Sequence, residues 1–185
     1  MNKEIIFLTE NKEKIDSARA VFDLLPNITL KNVKLSLPEI QSMDVEEVVR
    51  YSVSEAVKIL NAPVFKVDCG YYFEGLNNFP GALVKYFNQS FSTEDILKIL
   101  EGKSRKVIIR ECLAYAEPEK KIKTFVVQVT ATIAETPMGD GGSIDRLVIY
   151  EGFDKPQAAC DYNDIVKYWN KTLTHYKQLA EYLRQ

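Results

Sequence analysis

The chain has 185 residues, of which 46% are hydrophobic, so it is long enough to bury a substantial core, and we expect one domain over 1–185. Its 24 basic and 26 acidic side chains are interspersed and give a net charge of -2, which argues against a nucleic-acid-binding surface spread over the molecule. No apolar stretch approaches membrane-spanning length, and three widely spaced cysteines fit neither a disulfide framework nor a metal-ligand pattern, so we expect a cytoplasmic protein with reduced thiols and no membrane partner.

The chain opens with a predicted strand, a polar turn and a helix. Residues 4–8 form an apolar run typical of a buried strand, and from Ile15 to Leu25 apolar residues recur at helical spacing. Asn11 can cap this helix, and Lys14 lies in its first turn. Because a helix N-terminus after a strand directs several backbone N–H groups at one point, this arrangement favours an anion there.

A carboxylate in a loop precedes the second predicted helix. The sequence indicates a strand at 33–35, then the segment LPEIQ, and then an amphipathic helix that begins with Asp44 and Glu47 in a pattern similar to a capping box. Glu39 lies in the loop, outside the helix, where its carboxylate is free to bind a cation.

Asp68 follows the next apolar run. In the segment PVFKVDCGYYF a strand is predicted over 64–67, and Asp68 comes directly after it, just before Gly70. An ionised carboxylate beside a buried strand needs a cation, a metal or several hydrogen-bond donors. From this stretch alone two interpretations are open: a turn aspartate that bonds to its own backbone, or a functional group mounted at the end of a strand.

The rest of the chain predicts a hairpin and several helices. A helix begins at Ser92 and ends at Gly102, and two alternating runs at 106–117 and 123–135 indicate an antiparallel hairpin that carries few chemical groups. A short strand follows near 146–152, and helices are predicted at 161–170 and 175–184, the second capped by Thr174. Tyr168 and Trp169 lie at helical spacing with Ile165, which favours a role in the core or an interface over stacking on a ligand.

The loops and helix ends together carry lysines and carboxylates. Lysines neutralise phosphate oxygens, whereas carboxylates hold Mg²⁺ and can activate a water molecule. The combination indicates a site for a phosphorylated ligand and a metal. The side chains concerned are Asn11, Lys14, Glu39, Asp68, Lys85, Asp145, Lys171 and His175.

The order of the motifs resembles the inosine triphosphate pyrophosphatase family, which hydrolyses deaminated purine nucleoside triphosphates. The family's T-G-N-x-x-K turn corresponds to TENKEK here, and its L-P-E-I-Q loop is unaltered. Its P-V-x-x-E-D-[ST]-G-L and P-G-x-x-[VI]-K-[WY]-F segments correspond to PVFKVDCGY and PGALVKYF. The resemblance covers nearly the whole chain and implies an α/β fold with a central mixed, elongated sheet flanked by helices, a cleft between two lobes, and a homodimer.

The resemblance also implies roles for individual residues. Asp68 would be the catalytic residue and, with Glu39, would hold Mg²⁺ while water splits the nucleotide into a monophosphate and pyrophosphate. The substrate would be a purine nucleoside triphosphate. The residues implied to bind it are Thr9, Asn11, Lys14, Lys85, Asp145, Lys171 and His175.

Four departures from the family pattern leave a second hypothesis open. Val67 replaces the acidic residue before the catalytic aspartate, and Glu10 replaces the glycine of the phosphate turn. Ile144 and Tyr176 replace an aromatic residue that stacks on the base and an arginine that reads it, so we expect weak discrimination between inosine and adenosine triphosphates. The alternative function is that of a diverged nucleotide- or phosphate-binding homologue with little or no hydrolytic activity.

Overall fold

The computed structural model describes residues 2–184, in which one seven-stranded sheet is flanked by helices. The strands are β1 (Lys3–Leu8), β2 (Ile28–Val33), β3 (Val64–Phe73), β4 (Pro80–Gly81), β5 (Lys106–Ala116), β6 (Lys123–Ile133) and β7 (Val148–Tyr150). The helices are α1 (Lys12–Phe22), α2 (Val45–Leu60), α3 (Val84–Ser90), α4 (Thr93–Ile99), α5 (Tyr162–Thr172) and α6 (His175–Leu183), with short 3-10 turns at Glu74–Leu76 and Gln157–Ala159.

The sheet is mixed, as the sequence predicted. Its strand order is β2-β1-β3-β5-β6-β7, and the two-residue β4 pairs with β3. β1 runs parallel to β2 and β3, since the helices α1 and α2 connect strands that point the same way. β3, β5 and β6 are the long strands, and they pair antiparallel along almost their whole length.

The start of α2 fixes the loop in front of it. Asp44 caps the helix by accepting a hydrogen bond from the backbone N–H of Glu46 at 2.9 Å, and Asn61 ends the helix in the left-handed conformation. The predicted capping box does not form, because Glu47 instead accepts a hydrogen bond from the Ser42 hydroxyl at 2.7 Å. This bond ties the loop that contains LPEIQ to the first turn of α2.

β3 is longer than predicted, and Asp68 lies in its middle rather than at its end. On one side β3 pairs with β5 continuously from Val64 to Phe73, which keeps the backbone extended through Asp68. On the other side β1 pairs with β3 only as far as Phe65, and β4 pairs with β3 only from Tyr71 onward. The edge of β3 between those two points is open, so a residue in mid-strand can reach solvent.

The core consists of three clusters, and the open edge lies where they meet. One cluster packs α1 and α6 on one face of β1, β3 and β5, and a second packs α2 on the opposite face. The third lies at the far end of the long strands, beneath α3, α4 and α5. The boundary on β5 falls at Arg110 and Glu111, between Ile109 of the third cluster and Cys112 of the second. The first two clusters form one lobe and the third forms the other, which gives the two lobes that the family resemblance implied.

The bounds of β2 and the cap of α6 differ from the prediction. β2 comprises Ile28–Val33 instead of 33–35, so the chain from 34 to 44 is the loop that carries Glu39. Thr174 occupies the N-cap position of α6 but makes no capping bond, because its hydroxyl accepts from the side-chain amide of Gln178 at 3.0 Å.

Candidate active site

The turn between β1 and α1 positions Lys14. The Thr9 hydroxyl accepts a hydrogen bond from the backbone N–H of Asn11 at 3.1 Å, and the Asn11 side chain accepts one from the backbone N–H of Lys14 at 3.1 Å. Asn11 therefore caps α1 as predicted. The Lys14 ammonium reaches the open edge of β3, where it donates to the Val67 carbonyl at 3.0 Å. Thr9 and Asn11, both predicted to bind substrate, build the turn that aims this lysine.

Asp68 meets Lys14 at the open edge. Lys14 Nζ lies 3.9 Å from Asp68 Oδ1, and the same oxygen accepts a hydrogen bond from the backbone N–H of Cys69 at 2.9 Å. The Asp68 side chain is 34% exposed, so part of the carboxylate can still contact water or a cation. The bond to Cys69 is the contact expected of a structural aspartate, whereas the neighbouring ammonium and the exposure favour a functional one.

Glu39 approaches from the loop between β2 and α2. It accepts a hydrogen bond from Lys66 Nζ at 2.8 Å, and Lys66 also donates to the Ser52 hydroxyl at 3.2 Å. The hydrogen bond and charge of Lys66, with a smaller contribution from the charge of Lys85, hold the pKa of Glu39 below its usual value. Glu39 and Asp68 line one cavity of about 490 Å³. The two carboxylates predicted to hold a metal therefore share a cleft.

Two further charged side chains near this cleft are exposed. Lys85 lies in the first turn of α3, close enough to Glu39 for its charge to act on that carboxyl. Glu10 forms an ion pair with Lys34 at 2.9 Å, and both side chains are largely exposed. Because Lys34 partly offsets the charge of Glu10, the negative side chain in the phosphate turn is less repulsive than the sequence suggested.

A second cluster of titratable groups lies on the opposite face of the sheet. Glu111 pairs in register with Cys69, whereas Asp68 pairs with Cys112, and adjacent residues of a strand point to opposite faces. His175, at the start of α6, is fully buried, and its Nε2 lies 3.6 Å from Glu111 Oε2.

Burial dominates the titration of this pair. It raises the pKa of Glu111 to about 7, an effect that the charge of Lys14 opposes and that of Asp68 reinforces. Burial, assisted by the charge of Lys14, lowers the pKa of His175 to about 3. The histidine is therefore neutral at physiological pH, and Lys14 lies close enough to influence both groups.

The other two C-terminal candidates differ in burial, because Asp145 is largely buried and Lys171 is exposed. Burial raises the pKa of Asp145, which lies in the turn before β7. Burial above all, with a smaller contribution from the charge of Asp145, also raises the pKa of Tyr71 and Tyr150, two residues that line a cavity of about 210 Å³. Lys171 is exposed in the last turn of α5 and forms no ion pair within 2–184. The charge of Asp145 therefore acts on the lining of this cavity, whereas Lys171 has no such link to it.

Neither Ile144 nor Tyr176 lines the cleft of Asp68 or the 210 Å³ cavity of Tyr71 and Tyr150, and Tyr176 instead lines a separate cavity of about 240 Å³ beside α1. Ile144 is 2% exposed within the far-end cluster of the core. Tyr176 is 4% exposed, and its ring packs edge-on against Phe7 and Phe65 at centroid distances of 6.1 and 6.5 Å. The expectation of weak base discrimination assumed that these two side chains contact the base, and it stays a prediction.

The sequence interpretation missed Glu111, whereas the core role predicted for Tyr168 and Trp169 is confirmed. Tyr168 packs against Tyr150 and Phe153 at centroid distances of 5.1 and 5.4 Å, which is the predicted core role. Trp169 packs against the same core cluster as Tyr168 and also lines the 210 Å³ cavity together with Glu111. A signal for Glu111 was present, because it is the one acidic residue of a mostly apolar strand, as Asp68 is in β3.

Comparison with known proteins shows the family of the chain. Residues 5–164 match the Ham1 family. The chain is 35% identical over 153 residues to the dITP/XTP pyrophosphatase of Thermococcus kodakarensis, covering 82% of each protein. It is 32% identical over 171 residues to the dITP/XTP pyrophosphatase of Methanopyrus kandleri, covering 91% of this chain and 90% of that protein.

The fold is also that of solved structures. The structure of the Staphylococcus aureus Ham1 protein superposes with a TM-score of 0.77 at 22% identity and covers 98% of this chain and 97% of that one. The predicted fold is therefore confirmed, together with the resemblance on which the prediction depended. With the match to the family over most of its length and relatives above 30% identity, the chain belongs to the Ham1 family.

Proposed function

We propose that this chain is a nucleoside triphosphate pyrophosphatase that hydrolyses deaminated purine nucleotides to a monophosphate and pyrophosphate. The observation that carries the proposal is the meeting of Lys14 and Asp68 at the open edge of β3, 3.9 Å apart and both accessible to solvent. The relatives named dITP/XTP pyrophosphatases support the same reaction and substrate class. Deaminated purine triphosphates are therefore the first substrates to test.

The residues of the cleft fit a magnesium ion bound together with the substrate. Within 2–184 no three His, Cys, Asp or Glu side chains gather as a ready-made metal site. Mg²⁺ is commonly bound by one or two carboxylates plus the phosphates of the substrate, and the cleft offers Asp68 and Glu39 as hard oxygen donors. When bound, the ion would neutralise phosphate oxygens and polarise the reacting phosphoryl group.

The side chains of the cleft divide the remaining work. The Lys14 ammonium can bind a phosphate oxygen in place of the Val67 carbonyl, since α1 already holds it at the cleft. Asp68 can accept a proton from water as the water oxygen attacks the α-phosphorus and the bond to the bridging oxygen breaks, which releases pyrophosphate. Lys66, which now bonds to Glu39, and the exposed Lys85 provide further positive charge for the leaving group.

A specific observation keeps the alternative function in view. Lys66 already neutralises Glu39 at 2.8 Å, and Val67 is buried in an apolar cluster, so in this conformation Asp68 is the less neutralised of the two cleft carboxylates. A homologue that binds nucleotide but hardly hydrolyses it would likewise have one cleft carboxylate neutralised by a lysine and no acidic residue at position 67. The two functions differ in turnover, not in binding.

The experiment is to measure pyrophosphate released from dITP, XTP, dATP and dGTP, with and without Mg²⁺. We expect release from dITP and XTP only with the metal. Binding of these nucleotides without release under any condition would instead support the alternative function.

The quaternary structure and cellular location remain predictions. Within 2–184 no helix is long and apolar enough to cross a membrane. The homodimer stays a prediction from the family resemblance, and the cytoplasmic location stays a prediction from the cysteines and the apolar stretches of the sequence. Analytical ultracentrifugation of the purified protein would test the first of them.

A further inference from the structure

Glu111 is a largely buried carboxyl group without a hydrogen-bond donor. Its side chain is 19% exposed, and no donor in the described part of the chain bonds to its oxygens; His175 Nε2, at 3.6 Å, is beyond hydrogen-bond distance. Buried carboxyl groups are normally paired or hydrogen-bonded, because the loss of hydration is otherwise uncompensated. Glu111 therefore has capacity to accept a hydrogen bond from a ligand.

His175 shows the same deficit from the neighbouring element. It is fully buried, and neither of its ring nitrogens has a hydrogen-bond partner within 2–184. Its ring packs against Tyr176, with centroids 4.3 Å apart, so it is held beside Glu111 by the core. Two adjacent buried groups with unused hydrogen-bonding capacity point to a missing partner molecule rather than to a structural network.

The cavity in front of Glu111 has the size and lining for a flat heterocycle. Its volume of about 210 Å³ exceeds several times the ~30 Å³ that one water molecule occupies in the liquid. Tyr71, Tyr150 and Trp169 contribute aromatic surface, and Gln157 contributes an amide. Because aromatic walls favour stacking of a nucleobase, the cavity is suited to a base.

The cavity also lies in the right place relative to the phosphate end of the site. Cys69, which pairs with Glu111, lines it and directly follows Asp68 on β3. The ammonium of Lys14 bonds at the edge of β3 and acts on Asp68, Glu111 and His175. Although Asp68 and Glu111 point to opposite faces of the sheet, Lys14 at the open edge acts on both, so a nucleotide with its phosphates at Lys14 can place its base in this cavity.

We infer that Glu111 is a specificity-determining residue that accepts a hydrogen bond from the N1–H of a 6-oxopurine bound in the cavity. This inference rests on the proposed function for the position of the phosphates. A 6-oxopurine presents a donor at N1 and an acceptor at O6, whereas adenine presents an acceptor at N1 and a donor at its 6-amino group. An ionised carboxylate accepts but does not donate, and burial raises the pKa of Glu111 to about 7, so in an assay at about pH 8.5 it pairs with the first pattern and opposes the second.

Gln157 can complete the recognition of the 6-oxo group. Its side-chain oxygen accepts a hydrogen bond from the Tyr150 hydroxyl at 2.8 Å, which leaves the amide N–H groups for an acceptor such as O6. Glu111 and Gln157 together would then match the acceptor and donor order of inosine, and both would be mismatched with adenosine.

The test compares dITP with dATP in kcat/KM, and dIMP with dAMP in binding by calorimetry, for the wild type and three variants. Glu111→Gln keeps the shape of the side chain but adds a donor, and Glu111→Met removes both donor and acceptor. The control is Glu117→Gln. Glu117 is a largely buried carboxylate just after the C-terminal end of β5 and forms an ion pair with Lys3. Cooperative unfolding of each variant establishes that it is folded.

We expect the preference for the 6-oxopurine to fall by about ten- to a hundredfold in both Glu111 variants, the range for the loss of a hydrogen bond to a charged group. Glu111→Gln should do so by gaining affinity for the adenine nucleotide, and Glu111→Met by losing affinity for the inosine nucleotide. The control should keep the preference of the wild type. A purely structural role for Glu111 would weaken both nucleotides equally.

The outcomes separate this inference from the proposed function. If the wild type hydrolyses dITP but the preference is unchanged in both Glu111 variants, the assignment of Glu111 is overturned and the proposed function stands. If the wild type hydrolyses no nucleotide, yet prefers dIMP over dAMP and loses that preference in the Glu111 variants, the assignment stands and the proposed function fails. A wild type that binds dIMP and dAMP equally overturns the assignment.

Discussion

The stability of the protein should depend on pH through Glu111, and Glu111→Gln should remove that dependence. Burial raises the pKa of this carboxyl group from 4.5 to about 7. The folded chain therefore holds the proton more tightly than the unfolded chain, so the contribution of Glu111 to stability is fully present below pH 4.5 and is lost as the pH rises through about 7. At about 1.4 kcal/mol per pKa unit, the loss in the free energy of unfolding amounts to about 3 kcal/mol.

Urea unfolding from about pH 5 to about pH 8 measures this difference. Over that range the wild type should lose about 2 to 3 kcal/mol relative to Glu111→Gln, and the difference between the two curves removes the part of the His175 titration that both proteins share. Glu117→Gln is the control. Burial raises the pKa of Glu117, but hydrogen bonds from Lys120, Lys3 and Tyr115 outweigh this and lower it to about 2, below the range of the assay. Parallel curves for the wild type and Glu111→Gln would refute the reasoning.

Three further predictions concern the cleft and its supporting turn. Asp68→Asn should lower kcat for dITP by about 10²–10⁴-fold without changing the urea midpoint, since the charge is removed at nearly constant shape; unchanged turnover would exclude Asp68 as the catalytic group. Glu39→Gln should raise the Mg²⁺ concentration needed for half-maximal activity by about tenfold, and a titration that overlays the wild type would make Glu39 only a loop residue. Gly81→Ala should lower the melting temperature more than Gly102→Ala: both residues have positive φ, but a Cβ at Gly81 would clash with the Met43 carbonyl oxygen, while a Cβ at Gly102 would meet open space. Equal losses would mean that the contact at Gly81 relaxes.

The order of elements could be predicted because local signals agreed with the final fold. The Asn11 cap, the Ser92 capping box and the alternating runs of β5 and β6 are each encoded within a few residues. The end of β3 could not be predicted in this way. Asp68 and Gly70 signal a turn locally, but ten consecutive pairs with β5 keep the strand extended, and those pairs form between segments about forty residues apart.

The residues of the proposed phosphate site were easier to predict from the sequence than those of the proposed base cavity. Lys14, Glu39 and Asp68 belong to short motifs whose residues remain near each other along the chain. The cavity of Glu111 is instead assembled from β3, β5, β6, β7, α5 and the turn at Gln157, so only the folded chain brings its lining together. For the same reason, motif alignment put Ile144 and Tyr176 at the base, whereas packing buries both in the core.

The most direct test of the account is the identity of the products formed from dITP and Mg²⁺, followed by phosphorus NMR with the wild type and with Asp68→Asn. The proposed reaction at the Lys14–Asp68 centre predicts dIMP and pyrophosphate in equal amounts from the wild type, and almost none from the variant. Formation of dIDP and inorganic phosphate, or equal product from both proteins, would contradict it.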